Sequence, residues 1–152
     1  MKTVLLLCTG NYYRSRFAEE LFNQRSDTVG GNWTAQSRAL AIERGIANVG
    51  PISPFALRGL EERGLCAKAG NRYPQQCAIA DLEAADYIVA MEESEHRPLM
   101  LERFAPWAAL TEYWNVGDVG YLPPTVALGV IETRIEVLLD RLRGKPAVST
   151  NT

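Results

Sequence analysis

Four short apolar runs alternate along this chain with longer stretches whose apolar residues recur at helical spacing. Thr3 to Leu7 is continuously apolar after a β-branched start, the pattern of a strand buried on both faces. Ser15 to Arg25 follows, with Phe17, Ala18, Leu21 and Phe22 on one helical stripe. Asp27 to Asn32, with Gly30 and Gly31, reads as a turn into a short strand at Trp33 to Gln36. Ser53 and Pro54 supply an N-cap and a first-turn proline for a helix from Phe55 to Arg63, which Gly64 ends. Tyr87 to Met91 is a third strand, followed by a helix from Ser94 to Phe104 with Pro98 in its first turn. Glu112 to Val116 is the fourth strand. The last helix runs from Thr125 to Arg143, with Val126, Val130, Ile131, Ile135, Leu138, Leu139 and Leu142 on its stripe and Gly144 after it. Residues 66–81 show no dominant period.

Such alternation predicts an α/β fold: a four-stranded parallel sheet with right-handed crossovers and helices on both faces, hence three α/β/α layers. With 152 residues and no repeat or linker, the chain reads as a single domain over residues 1–144, with 145–152 as a frayed tail. In open parallel sheets ligands bind beyond the carboxyl ends of the strands, so residues just after a strand are the site candidates.

Composition narrows the chemistry. Sixteen Lys plus Arg against eighteen Asp plus Glu gives a net charge of −2, which supplies no whole-molecule positive field for nucleic acid or anionic lipid. Any anion site must therefore be local. The early apolar run is too short for a membrane span or a signal peptide, and the chain reads as cytoplasmic. Three cysteines, Cys8, Cys66 and Cys77, fit neither a disulfide scaffold nor a zinc site of Cys-x2-Cys pairs.

Cys8-Thr9-Gly10-Asn11-Tyr12-Tyr13-Arg14-Ser15 joins the first strand to the first helix. A loop of this size can curl its backbone N–H groups into an anion nest, and Gly10 and Asn11 suit positive φ. Arg14 can clamp two oxygens of an oxyanion, and helix amides beside an arginine stabilise negative charge on a sulfur. Ser15 can donate to that sulfur and cap the first turn. The bland alternative is a buried structural cysteine.

A nucleophilic thiolate that displaces an oxygen leaving group benefits from a carboxyl that protonates the leaving oxygen, worth roughly two to four orders of magnitude. Asp27 falls in a distant turn, Asp81 and Asp86 precede the third strand, and Asp140 lies in the last helix. Asp118 is the aspartate beyond a strand's carboxyl end. Glu92 and Glu93 compete for the role but suit the start of a helix, where the dipole favours acidic residues. Tyr12, Tyr13 and Tyr121 are candidates to wall a cleft for a phenyl ring. Trp33 and Trp114 read as packing residues, His96 as a helix surface residue, and Arg16 as solvated rather than as a charge at the cleft mouth.

The run Cys8-Thr9-Gly10-Asn11-x-x-Arg14-Ser15, after Val4-Leu5-Leu6-Leu7 and before Phe17-Ala18-Glu19, resembles the signature of the low-molecular-weight protein-tyrosine phosphatase family. The resemblance extends to Ser53-Pro54-Phe55-Ala56 through Gly64-Leu65, to Asp81-Leu82 with Ala85 through Met91, and to Asp118. It implies a flavodoxin-like strand order 2-1-3-4 and a cysteinyl-phosphate mechanism without metal or other cofactor. Cys8 would be the nucleophile, Arg14 the phosphate clamp and Asp118 the general acid and base. The backbone from Thr9 through Ser15 would bind phosphate, and Asn11, Ser15 and Ser37 would support the loop. The implied substrate is a phosphotyrosine-containing protein or aryl phosphate, with inorganic phosphate as product, no nucleic-acid or membrane partner, and a monomer or weak dimer.

Three departures accompany the resemblance. The family's late Asp-Pro pair is here Asp118-Val119, Tyr13 stands where relatives often carry a second, protective cysteine, and Arg16 stands where they often have proline. Cys66 and Cys77 read as structural thiols. Thioredoxin-linked arsenate reductases share the Cys-Thr-Gly-Asn opening, but they place two cysteines after the third strand, and Tyr87 to His96 contains none. A non-catalytic phosphate- or phosphoprotein-binding module is a further alternative, and a sugar-transport phosphocysteine carrier ranks below it because Arg14 suits stabilising transfer to water.

Overall fold

The computed structural model of the chain describes residues 1–28 and 31–143. Gly30, Gly144 and the 145–152 tail, with the readings made of them, lie outside the described residues. The elements run β1 (Lys2–Cys8), α1 (Arg14–Thr28), β2 (Trp33–Ala39), a 3-10 turn (Ile42–Gly45), α2 (Pro54–Glu61), α3 (Ile79–Ala84), β3 (Tyr87–Ala90), α4 (Glu93–Arg103), α5 (Ala105–Ala108), β4 (Glu112–Tyr113) and α6 (Pro124–Leu142). All four strands pair in parallel in the order β2-β1-β3-β4, as the alternation and the resemblance predict.

Alternation along β1 builds the layers. Val4, Leu6 and Cys8 point into a core completed by Phe17, Ala18, Leu21 and Phe22 of α1, Leu60 of α2, and Ile131 and Ile135 of α6. Leu5 and Leu7 point to the opposite core, with Leu82 of α3, Leu99 and Met100 of α4, and Ala108 of α5. β1 is therefore buried on both faces, the reason its run is unbroken by polar residues.

Several boundaries differ from the sequence reading. α1 continues through Thr28, so Asp27 is helical rather than in a turn. β2 extends to Ala39, which places Ser37 inside the strand. β4 is only Glu112–Tyr113, although Trp114 N and Val116 N still donate to Ala90 O and Met91 O. Glu92 and Asn115 then form an antiparallel bridge, so the parallel ladder cannot continue. The 66–81 stretch contains the start of α3, capped by Asp81, whose carboxylate accepts from Ala78 N at 2.8 Å. Pro98 falls in the second turn of α4, where its missing N–H removes one intrahelical bond.

The buried stripe of α6 is Ala127, Leu128, Ile131, Ile135, Leu138 and Leu139, whereas Val126 is half-exposed. Ser53 caps α2 through Phe55 N at 3.1 Å, and Gly64, at φ 74, takes the left-handed conformation that ends this segment. No helix among the described residues is long and apolar enough to cross a membrane.

Candidate active site

The loop from Cys8 to Arg14 leaves the carboxyl end of β1, the central position the fold provides for a ligand site. Its carbonyls are tied to the surrounding chain. Leu40 N donates to Cys8 O at 2.9 Å, Ala41 N to Thr9 O at 3.0 Å, Ser53 N to Tyr12 O at 2.9 Å and Phe17 N to Tyr13 O at 3.0 Å. In a trans peptide the next N–H points the opposite way, so the amides of Thr9, Gly10, Tyr13 and Arg14 turn away from those segments toward the concave side. Free amides at the start of a helix are of the kind that can receive an anion.

Asn11, rather than Gly10, carries the positive φ, at 53°. Its buried amide compensates for that conformation. Nδ2 donates to Ser15 Oγ and Ser37 Oγ, both at 2.9 Å, while Oδ1 accepts from Gln75 N at 3.1 Å and Arg72 at 3.2 Å. Ser37 Oγ in turn donates to Glu19, and Arg72 bridges Glu19 and Ser37. Glu19 and Arg72 were not singled out from sequence. Asn11, Ser15 and Glu19 are spaced by four, a signal that could have found Glu19, but Arg72 sits in the stretch without a period.

Ser15 is the second residue of α1 and does not serve as its cap. Its Oγ lies 3.0 Å from Cys8 Sγ. Because that oxygen already accepts from Asn11, its proton is directed to the sulfur.

Arg14 is almost wholly buried and gripped by a residue that sequence reasoning missed. Glu95 accepts from Nη1 at 3.0 Å and from Nη2 at 2.8 Å, and Val116 O takes a second Nη1 proton at 2.8 Å. Burial opposes the guanidinium charge, but the hydrogen bonds and charge of Glu95 outweigh it and push the Arg14 pKa up. Burial would likewise raise Glu95, yet its bonds from His96 and Arg14 hold its carboxyl below the usual range.

His96 is fully buried, not a surface residue. Its Nδ1 accepts from Glu92 N at 3.0 Å, so the proton sits on Nε2, facing Thr9 Oγ at 3.0 Å and Glu95 at 3.2 Å. Thr9 Oγ in turn donates to the Glu95 carboxylate. Burial pushes the His96 pKa down and keeps the ring neutral.

Cys8, Tyr12, Tyr13, Arg14, Phe55 and Asp118 line one cleft of about 320 Å³. Asp118 Oδ2 is 3.8 Å from Arg14 Nη2, and Oδ1 accepts from Val119 N at 2.9 Å. Tyr12 is pinned by its hydroxyl to Val49 O at 2.6 Å, while Tyr13 packs edge-on against Phe55 with ring centroids 6.2 Å apart. Phe55, from α2, is the aromatic wall not foreseen. Tyr121 is not a wall; it is exposed and borders a neighbouring hollow beside Thr9 and Glu95.

Arg16 is also buried rather than solvated, donating to Pro51 O at 2.8 Å and Ala69 O at 3.0 Å, which ties two loops to α1. Cys77 lies in the opposite core, where burial pushes its thiol up to about 12, and Cys66 is exposed. Trp114 is buried and Trp33 packs half-buried at the edge of the first core.

The family model for low molecular weight phosphotyrosine protein phosphatase matches residues 3–115. No curated protein matches the chain. Among solved structures, the low molecular weight protein tyrosine phosphatase from T. tengcongensis is 25% identical, with a TM-score of 0.77 over 93% of this chain and 100% of that one. Wzb from Vibrio vulnificus, in complex with benzylphosphonate, is 21% identical, with a TM-score of 0.76 over 93% and 99%. The YwlE arginine phosphatase from Geobacillus stearothermophilus is 22% identical, with a TM-score of 0.73 over 100% and 99%. The match takes in the thiol loop together with all four strands that carry it, and the chain belongs to the low molecular weight phosphotyrosine protein phosphatase family.

Proposed function

We propose that this phosphatase hydrolyses aryl phosphomonoesters, phosphotyrosine in proteins above all, through a cysteinyl-phosphate intermediate. The observation that carries the reading is the convergence of Cys8, Arg14 and Asp118 on one cleft, with a helix N-terminus beneath it.

Cys8 attacks phosphorus as the thiolate; the S–P bond forms, the ester P–O bond breaks, and Asp118 gives its proton to the departing phenolic oxygen. The loop amides and Arg14 hold the equatorial oxygens as charge builds on them. Asp118, now ionised, takes a proton from water as that water attacks phosphorus. The S–P bond then breaks, returning the thiolate and releasing inorganic phosphate. Ser15 holds the sulfur from below, and the Asn11 amide holds Ser15.

The Tyr12, Tyr13 and Phe55 rings suit a flat aromatic ester and favour phosphotyrosine over phosphoserine or phosphoarginine. The benzylphosphonate held by the Vibrio vulnificus relative carries the same two groups, a ring and a tetrahedral oxyanion. An unprotected nucleophilic thiol, without a second cysteine in its loop, suits a reducing compartment such as the cytoplasm.

The test is release of nitrophenol from para-nitrophenyl phosphate in EDTA by wild type and by Cys8→Ser, followed by phosphotyrosine, phosphoserine and phosphoarginine peptides. Turnover that vanishes in Cys8→Ser is expected, and turnover retained by that variant overturns the assignment. Tight phosphopeptide binding without turnover by wild type selects the binding-module reading instead.

A further inference from the structure

Among the described residues, one buried side-chain polar atom has no hydrogen-bond partner, and it belongs to the active-site loop: the Tyr13 hydroxyl. Tyr13 is 5% exposed, and the rest of its ring is accounted for by Phe55 and the core around Cys8. A buried phenol normally finds an acceptor, because its O–H loses water's hydrogen bonds and gains nothing in return. The residue lines the cleft together with Cys8, Arg14 and Asp118, and its hydroxyl is near enough to Arg14 and Asp118 to feel both charges.

We propose that Tyr13 is a substrate-binding residue whose hydroxyl donates a hydrogen bond to the tetrahedral oxyanion held over Cys8. The inference rests on the phosphatase reading of the same cleft and adds to it a donor from a side chain, beside the backbone amides and Arg14. The side chains and backbone around the cleft offer this hydroxyl no acceptor, whereas a bound phosphoryl group brings several negatively charged oxygens into the cavity that Tyr13 lines. Burial first, and then the negative charge of Asp118, push the Tyr13 pKa up to about 12, so the phenol keeps its proton and acts as a donor throughout the working range. The ring meets Phe55 edge-on at 65° and is buried in the core around Cys8, so little side-chain freedom remains to be lost on binding.

Tyr13→Phe deletes the hydroxyl and leaves the ring packing in place. Direct titration of wild type and Tyr13→Phe with inorganic phosphate should show the Kd rising about tenfold in the variant, the usual scale for a hydrogen bond to a charged group. The KM for para-nitrophenyl phosphate should rise in step. The melting temperature of the phosphate-free variant should equal or exceed that of wild type, since no protein partner is lost. Equal phosphate affinities for the two proteins, with wild type active, would overturn this proposal and leave the phosphatase reading intact. A lowered melting temperature with unchanged affinity would also overturn it, as a purely structural role. Failure of wild type either to bind phosphate or to turn over ester would overturn both.

Discussion

Glu95 grips Arg14 end-on, its two oxygens 3.0 and 2.8 Å from Nη1 and Nη2, from a hollow that adjoins the Cys8 cleft rather than from inside it. A guanidinium has five N–H donors. Glu95 takes two and Val116 O a third, which leaves the Nε proton and one Nη2 proton. These form the side-on pair, suited to two oxygens of one phosphoryl group. The carboxylate thus orients the guanidinium and leaves free the edge proposed to hold phosphate.

Glu95→Gln keeps the shape but loses the charge and one acceptor. We expect kcat/KM for aryl phosphates to fall on the order of ten- to a hundredfold, as for a misplaced positioning group. Phosphate affinity should weaken in parallel, and unchanged steady-state kinetics would remove Glu95 from this role.

Stability should fall in two steps on acidification. The His96 pKa is lowered from 6.5 by burial, so as pH drops below 6.5 the unfolded chain binds a proton that the folded one refuses, and stability declines until the lowered folded value is reached. Glu95 is lowered from 4.5, so the stability it contributes is complete above 4.5 and is lost as pH falls toward its folded value. Melting temperatures across this range for wild type and His96→Asn should show the upper step flattened in the variant. Equal slopes between the two proteins in that window would contradict the assignment.

Asn11 combines a left-handed backbone with four side-chain bonds. Asn11→Ala should lose both the network and the local tolerance of positive φ, at about 2 to 4 kcal/mol of stability. Asn11→Gly, which relieves only the backbone, should recover about 1 kcal/mol of that by chemical denaturation. Both variants should lose most turnover, because neither holds Ser15 beneath Cys8.

Asp118→Asn removes the proposed proton donor while leaving Cys8 and Arg14 in place. The loss in kcat/KM should be largest for esters whose leaving groups need the proton most, roughly two to four orders of magnitude for poor ones. A series of aryl phosphates of graded leaving-group basicity measures this. A uniform loss across the series would place Asp118 in binding rather than proton transfer.

Gly59 of α2 sets how closely that helix approaches its neighbours. A Cβ there would stand 2.4 Å from Leu128 Cδ1 and 3.1 Å from Phe17 Cε1, two buried side chains with little room to move. Gly59→Ala should therefore destabilise by about 1 to 3 kcal/mol from overpacking, less roughly 1 kcal/mol regained as helix propensity. A raised melting temperature would show that Leu128 and Phe17 can make room without cost.

Sequence-local features were legible and their partners were not. The Cys8 to Ser15 run is one contiguous loop whose spacing already carries a thiol, a guanidinium and a hydroxyl to the start of a helix. Glu95, by contrast, carries no sequence signal of its own and His96 reads as a surface position, because a helix pattern shows which residues share a face but not what that face meets. The end of β3 sets the N-terminal part of α4 beside the loop, and this placement buries His96 and turns Glu95 onto Arg14. The burial of Arg16 is hidden from the sequence for the same reason: its partners, Pro51 and Ala69, are carbonyls of loops distant in sequence.

Hydrophobic periodicity, which is a local property, determined by itself the strand and helix alternation, the two-sided burial of β1 and the position of the thiol loop at its carboxyl end. Only the tertiary structure decided how far β2 and β4 extend, which aromatic rings wall the cleft, and that Glu95 grips the arginine. Those outcomes depend on contacts between segments tens of residues apart. Their geometry is set by how the layers pack, and no window of neighbouring residues encodes it.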